Sequence, residues 1–212
     1  MFSYFIIYKP YKMLSQFVRM PKKKVLADLV YNFPAGTNAL GRLDENSEGL
    51  LILSTDKQLT NLLLQPQNQH ARVYWVQVHG KVSAETLQTL EAGISIRMHK
   101  EDYATKPCKA RIIDTPTNIA QRGHPVRDDI TTTWIELILT EGKFHQVRKM
   151  TAAVGHQTMR LIRVAIEDIL LLDMKPGEVR EITQEEIYSK LKIQLPITHT
   201  NSKVIIYQTF HR

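Results

Sequence analysis

The sequence predicts an α+β domain built on a mixed, largely antiparallel sheet with flanking helices. Three observations point there. Short apolar runs with strand character recur along the chain, and a few amphipathic stretches with capping signals stand between them. The two kinds of element do not alternate as a parallel α/β sheet would require. With 212 residues, 43% of them hydrophobic, and no internal repeat, the chain can close one core, burying roughly 70% of the unfolded chain's surface. The expected division is one domain over residues 1–195 and an unassigned tail over 196–212.

Taken in order, residues 4–8 read as a strand and 25–31 as a short helix. Residues 40–56, LGRLDENSEGLLILSTD, place Asp44 behind Gly-Arg-Leu and ahead of a turn containing Asn46, Ser47 and Gly49. Leu50, Leu51, Ile52 and Leu53 then form a strand buried on both faces. Asp56 caps a helix over 57–65 that Pro66 stops, and Ser83 and Gly93 bracket a helix over 84–92. Strands are expected at 73–79, 94–98, 109–113, 132–140 and 158–165. Residues 115–129 lack periodicity and carry Pro116, Gly123 and Pro125, which makes them a long loop. Val147, Met150, Thr151 and Val154 recur at helical spacing before Gly155, and Thr183 opens a capping box for a last helix with Ile187 and Leu191. In the tail only 204–207 has strand character, as an edge strand.

A net charge of +7 and a pI near 9.4 favour an anionic partner, since each phosphate neutralised by Lys or Arg releases a counterion. Within 140–164 Lys143, Arg148, Lys149, Arg160 and Arg163 face the single acid Glu141. The one cysteine, Cys108, excludes an internal disulfide, and no Cys/His spacing suits zinc, so no metal is assigned. The eight histidines are scattered and read as packing or surface residues. Residues 1–8 are too short for a signal segment, and no apolar stretch reaches the ~20 residues of a membrane span. A cytoplasmic monomer without membrane association is expected.

Asp44 alone reads as a turn residue, because Asp is common in loops for local hydrogen-bonding reasons. The longer run GRLDxxSEGLLILSTD resembles the central motif of the RsuA/RluA-type pseudouridine synthases, whose invariant Asp is catalytic. Three further segments accompany it. Lys9-Pro10 looks like the family's early Lys-Pro motif, with Tyr11-Lys12 where a glycine is often seen. Arg72-Val73-Tyr74-Trp75-Val76 is similar to the family's Lys-x-Tyr-x-Val strand, Arg72 replacing the lysine and Tyr74 matching the active-site tyrosine; period-2 alternation alone would make Tyr74 a core residue. Residues 141–150, EGKFHQVRKM, resemble the segment whose arginine pairs with the catalytic Asp, which here is Arg148; on its own it reads as a solvated helix arginine.

The resemblance covers about residues 5–183 and implies a fold of two subdomains around a catalytic cleft, with no preceding S4 RNA-binding domain. Finer features, including Leu14-x-Gln16-Phe17, Pro125-x-Arg127 and residues 158–163, look most like the E-type synthases of the large ribosomal subunit. The implied activity is isomerisation of a uridine in 23S ribosomal RNA to pseudouridine, without cofactor. Asp44 would be the catalytic carboxylate, Arg148 its partner favouring the charged form, Tyr74 the ring under the uracil, and Arg42 the filler of the flipped nucleotide's place. Lys9, Lys143, Lys149, Arg160 and Arg163 are the expected RNA contacts. Three other readings stay open at this point: a non-catalytic RNA-binding or ribosome-assembly factor, a synthase of the same family acting on a different RNA, and a glycosidase pairing Asp44 with Glu48.

Overall fold

A computed structural model describes residues 2–122, 125–127 and 129–195. In chain order its strands are β1 (Tyr4–Lys9), β2 (Met13–Leu14), β3 (Lys24–Val25), β4 (Asn38–Ala39), β5 (Glu48–Ser54), β6 (Arg72–His79), β7 (Ser95–Met98), β8 (Glu101–Ala104), β9 (Lys109–Ile113), β10 (Thr132–Leu139), β11 (Thr158–Ile166), β12 (Ile169–Leu170) and β13 (Val179–Glu181). Its helices are α1 (Lys57–Leu64), α2 (Ala84–Ala92), α3 (Gln146–Ala153) and α4 (Gln184–Lys190).

Nine strands form one sheet in the order β13-β1-β5-β11-β6-β10-β9, with β4 beside β5 and β12 beside β11. Every pairing is antiparallel except β5 with β11, where Ile162 faces Glu48 and Arg163 faces Gly49. That parallel seam joins two antiparallel halves, so the predicted mixed, largely antiparallel α+β fold is observed. The chains approach so closely there that a Cβ on Gly49 (φ +102) would lie 2.3 Å from the Arg163 carbonyl oxygen, a place only glycine can occupy.

Every residue of β5 is buried, as the unbroken apolar run 50–53 requires of a central strand. Tyr8, Leu50, Ile52 and Ile162 join one core cluster, while Phe5, Ile7, Leu51 and Leu53 join another with Met13 and Leu26. A third, around Tyr74, Val76, Val78, Leu137 and Met150, belongs to the β6–β10 half. The caps fall where the sequence puts them. Asp56 Oδ1 accepts the amides of Gln58 and Leu59 at 2.9 and 3.2 Å, while its Oδ2 accepts the hydroxyls of Tyr4 and Tyr188 at 2.9 and 2.8 Å. Ser83 and Thr183 cap α2 and α4, and Gly155 (φ +82) follows α3.

The expected helix over 25–31 is not formed. Val25 ends β3, the chain makes one 3-10 turn over Leu26–Asp28, and Leu29 is already extended. The Asp28 carboxylate bonds back to the Val25 amide at 2.9 Å, closing that turn locally instead of propagating a helix. Short strands β2, β3, β4, β8, β12 and β13 are additions; their polar or isolated sequences carry too little alternation to be seen. The described part of 115–129 has neither helix nor strand, as expected, and the possible strand at 204–207 lies outside the described residues. No helix among the described residues is long and apolar enough to cross a membrane.

Candidate active site

Asp44 stands on the loop that delivers the chain into β5. Its backbone carbonyl accepts the Ser47 amide at 3.0 Å, closing a tight turn. The preceding residue is pinned from the other side: the Ser15 hydroxyl donates to the Leu43 carbonyl at 2.8 Å and accepts the Leu43 amide at 3.0 Å. The segment bearing Ser15 is held in turn by Lys9, fully buried, whose Nζ donates to the carbonyls of Pro10 and Met13 at 2.8 and 2.7 Å. Burial pushes the Lys9 amine down to about 7, against the opposing pull of Glu48 and Asp44. The loop position of Asp44 is thus fixed by core residues, so a flexible-looking turn holds a rigid carboxylate.

That carboxylate is partly open, with 27% of the side chain exposed. The Arg148 Nε lies 3.7 Å from Oδ2, the Ser47 hydroxyl donates to the same oxygen at 3.4 Å, and the His145 Nε2 lies 3.5 Å from Oδ1. Arg148 also donates from Nη2 to the Asn46 carbonyl at 2.7 Å and to the Ser47 hydroxyl at 3.3 Å. Desolvation lowers the Arg148 guanidinium below its ordinary value, while Asp44 and then Tyr11 pull it back up. Arg148 is therefore tied to the backbone of the turn and approaches Asp44 through charge, leaving the carboxylate without a short saturating bond.

The approach to α3 is braced by Glu141 and Gln146. The Gln146 side chain donates to Glu141 Oε1 at 2.7 Å and accepts the Lys143 amide at 2.9 Å, while Tyr103 donates its hydroxyl to Glu141, which raises that phenol to about 12. Within this brace His145 takes a left-handed backbone (φ 55) and its ring stacks on Phe144 at 3.9 Å between centroids. A cleft of about 660 Å³ opens beside the loop, lined among others by Arg42, Asp44, Tyr74, His145 and Arg163. Tyr74 lies in its wall, 8% exposed, on β6; Arg42 is exposed and forms no hydrogen bond or ion pair among the described residues.

Of the residues singled out in the sequence, Arg42, Asp44 and Tyr74 line this cleft, while Arg148 stands behind the wall, reaching it through Asp44. The expected phosphate contacts divide. Lys143 is exposed, and Lys149 is half-buried with its Nζ donating to the Arg97 carbonyl at 2.8 Å. Lys9, Arg160 and Arg163 are buried to 0%, 8% and 3% exposure, which corrects their reading as phosphate contacts. Arg160 makes a bidentate pair with Glu48, at 3.0 Å for each bond, and Arg163 Nε donates to the Leu50 carbonyl at 2.8 Å. Positive charge clustered in sequence predicts a surface, whereas β11 turns these arginines inward. His145 keeps the surface exposure that the sequence suggests, 41% of its side chain, yet also sits against the carboxylate, which only its place in the same segment as Arg148 signals.

The family model described as RNA pseudouridylate synthase matches residues 3–153. A protein of Vibrio parahaemolyticus named ribosomal large subunit pseudouridine synthase E is 42% identical over 179 residues, covering 84% of this chain and 72% of its own. One of the same name from Xanthomonas axonopodis pv. citri is 42% identical over 175 residues, covering 81% of this chain and 89% of its own. A solved structure titled as a pseudouridylate synthase superposes with a TM-score of 0.73 at 27% identity, over 90% of this chain and 74% of the other. With the family model spanning both the Asp44 turn and the Arg148 helix, the chain belongs to the RNA pseudouridylate synthase family.

Proposed function

We propose that this protein, as a cytosolic monomer, converts a specific uridine of 23S ribosomal RNA to pseudouridine, with Asp44 as the catalytic carboxylate. The observation that carries this reading is the under-coordinated Asp44 carboxylate at the cleft, flanked by Arg148 and His145 with the Tyr74 ring in the wall. The choice of large-subunit RNA rests on the names of the relatives that are 42% identical.

Pseudouridine is an isomer of uridine, so the reaction moves bonds and protons without net oxidation. The N1–C1′ bond breaks, the base turns, C5 bonds to C1′, and the C5 proton is lost while N1 gains one. Asp44 assists the first step by attack on the sugar, attack on the base or proton abstraction, all of which a carboxylate can perform. Arg148 aims it. Tyr74 stacks on the uracil and serves as the base at C5, and Arg42 fills the place of the extruded nucleotide, whose flipping costs a few kcal/mol. Lys143, which is exposed, and Lys149, which is half-buried, contact the RNA phosphates.

Carbodiimide mapping of ribosomal RNA from cells with and without the protein tests this directly. One reverse-transcription stop in 23S RNA should depend on the protein. Identical maps would refute the reading, and a dependent stop in another RNA would move the substrate.

A further inference from the structure

Breaking N1–C1′ heterolytically sends the bonding pair to the base, so a detached uracil carries negative charge spread over N1, O2 and O4. A water-poor cleft must supply a hydrogen-bond donor for that charge. We propose that Arg163 is this donor: its Nη2 bonds a carbonyl oxygen of the target uracil and stabilises the base as it departs. The proposal rests on the isomerase reading above and adds a catalytic group to it.

Four observations converge on Arg163. Arg163 is among the residues lining the cleft that Asp44 lines, although it is only 3% exposed. Its Nη2 is buried and has no hydrogen-bond partner, a costly state for a guanidinium that natural structures rarely leave unexplained. No carboxylate among the described residues lies within ion-pair distance of it, because the nearby Glu48 is occupied by Arg160. Finally, it stands directly across from Tyr74 on the neighbouring strand, and opposed residues of an antiparallel pair share a face. A uracil lying on the Tyr74 ring therefore has Arg163 as its neighbour.

The backbone explains how such a cation is held in place. Arg163 faces Gly49 at the parallel seam, where the close approach excludes any side chain, and its Nε is anchored on the Leu50 carbonyl. The strand register slips between Arg163 and Ala165, a bulge of the kind that re-aims side chains beside active sites. One end of the guanidinium is fixed and the other is left free. Arg163 and the carboxylate thus reach the cleft from either side of the parallel seam: Asp44 lies on the loop before β5 and Arg163 on β11. During the reaction the guanidinium exchanges no proton. It accepts charge by hydrogen bonding while the pair leaves C1′, and releases it as C5 rebonds and loses its proton.

The test is a cycle between the residue and the substrate atom. RNA fragments carrying the mapped target as uridine, 2-thiouridine or 4-thiouridine are turned over by wild type and by Arg163→Met, since sulfur is a much weaker hydrogen-bond acceptor than oxygen. Arg163→Met should slow uridine turnover on the order of 100-fold with RNA affinity unchanged. Sulfur at the contacted position should slow wild type, and that penalty should shrink roughly tenfold in the variant. A purely structural role would leave the sulfur penalty equal in both proteins. Equal penalties at both positions, or full activity of Arg163→Met, overturn the proposal. If Arg163→Met does not fold, the same cycle with Arg163→Lys decides. Should wild type fail to modify any uridine, the isomerase reading falls first; activity in wild type without coupling removes Arg163 alone.

Discussion

Asp44 and Glu48 lie within one short segment, yet their surroundings are opposite. Glu48 is 2% exposed and spends both oxygens on the bidentate bonds of Arg160, with a second cation, Arg122, 3.9 Å away. Asp44 is 27% exposed and meets its cations at 3.5 and 3.7 Å. The difference teaches what separates a structural acid from a working one. A carboxylate buried with a guanidinium across both oxygens is closed to a substrate, and its removal orphans a buried cation. A carboxylate aimed by charge, but not consumed by hydrogen bonds, keeps its oxygens for a substrate. The same contrast argues against a glycosidase pair, which would need both acids available.

The largest stability effect is expected at the saturated acid. Glu48→Gln should cost about 3–5 kcal/mol by leaving Arg160 without its counterion, read by urea unfolding. Turnover per folded molecule should change little. Native stability with lost turnover would invert the comparison and make Glu48 the working acid.

Next comes the aiming of Asp44. Arg148→Met should lower kcat on the order of 100-fold with a much smaller change in KM for RNA, because it loosens the carboxylate without removing it. An effect confined to KM would reassign Arg148 to phosphate binding.

A pH-dependent effect concerns Lys9, which holds the Ser15 segment beneath the Asp44 turn. Its amine is depressed from 10.5 to about 7 in the folded protein, so between these values the unfolded chain holds the proton that the native state has lost. Stability from this residue therefore rises with pH across that window. The melting temperature of wild type relative to Lys9→Met should shift in favour of wild type from pH 7 to pH 10. A gap that stays constant, or moves the other way, would show the ammonium form to be well accommodated.

Much of this contrast was legible in the sequence. Asp44, Tyr74 and Arg148 stood in contiguous patterns, and the strand after Asp44 was readable because an apolar run bounded by turn residues has one compact solution. The caps at Asp56, Ser83 and Thr183 were readable for the same local reason. What escaped depends on contacts distant in sequence. Glu48 gives no sign of Arg160, which arrives across the parallel seam, and Lys9 gives no sign that its ammonium end will be enclosed. His145 has no periodic or spacing signal of its own; its place against Asp44 comes from a left-handed residue braced by Glu141 and Gln146. The short strands β12 and β13 form because partners are supplied by β11 and β1, a tertiary cause that no local window contains.

The most direct measurement is single-turnover conversion of the mapped RNA fragment by Asp44→Asn beside wild type, with thermal melting and RNA affinity taken on the same samples. Because Asn keeps the shape and removes the charge, the account predicts native melting, native affinity and a rate lower on the order of a thousandfold or more. Turnover within about tenfold of wild type would contradict it, since the rate would then depend on some group other than this carboxylate.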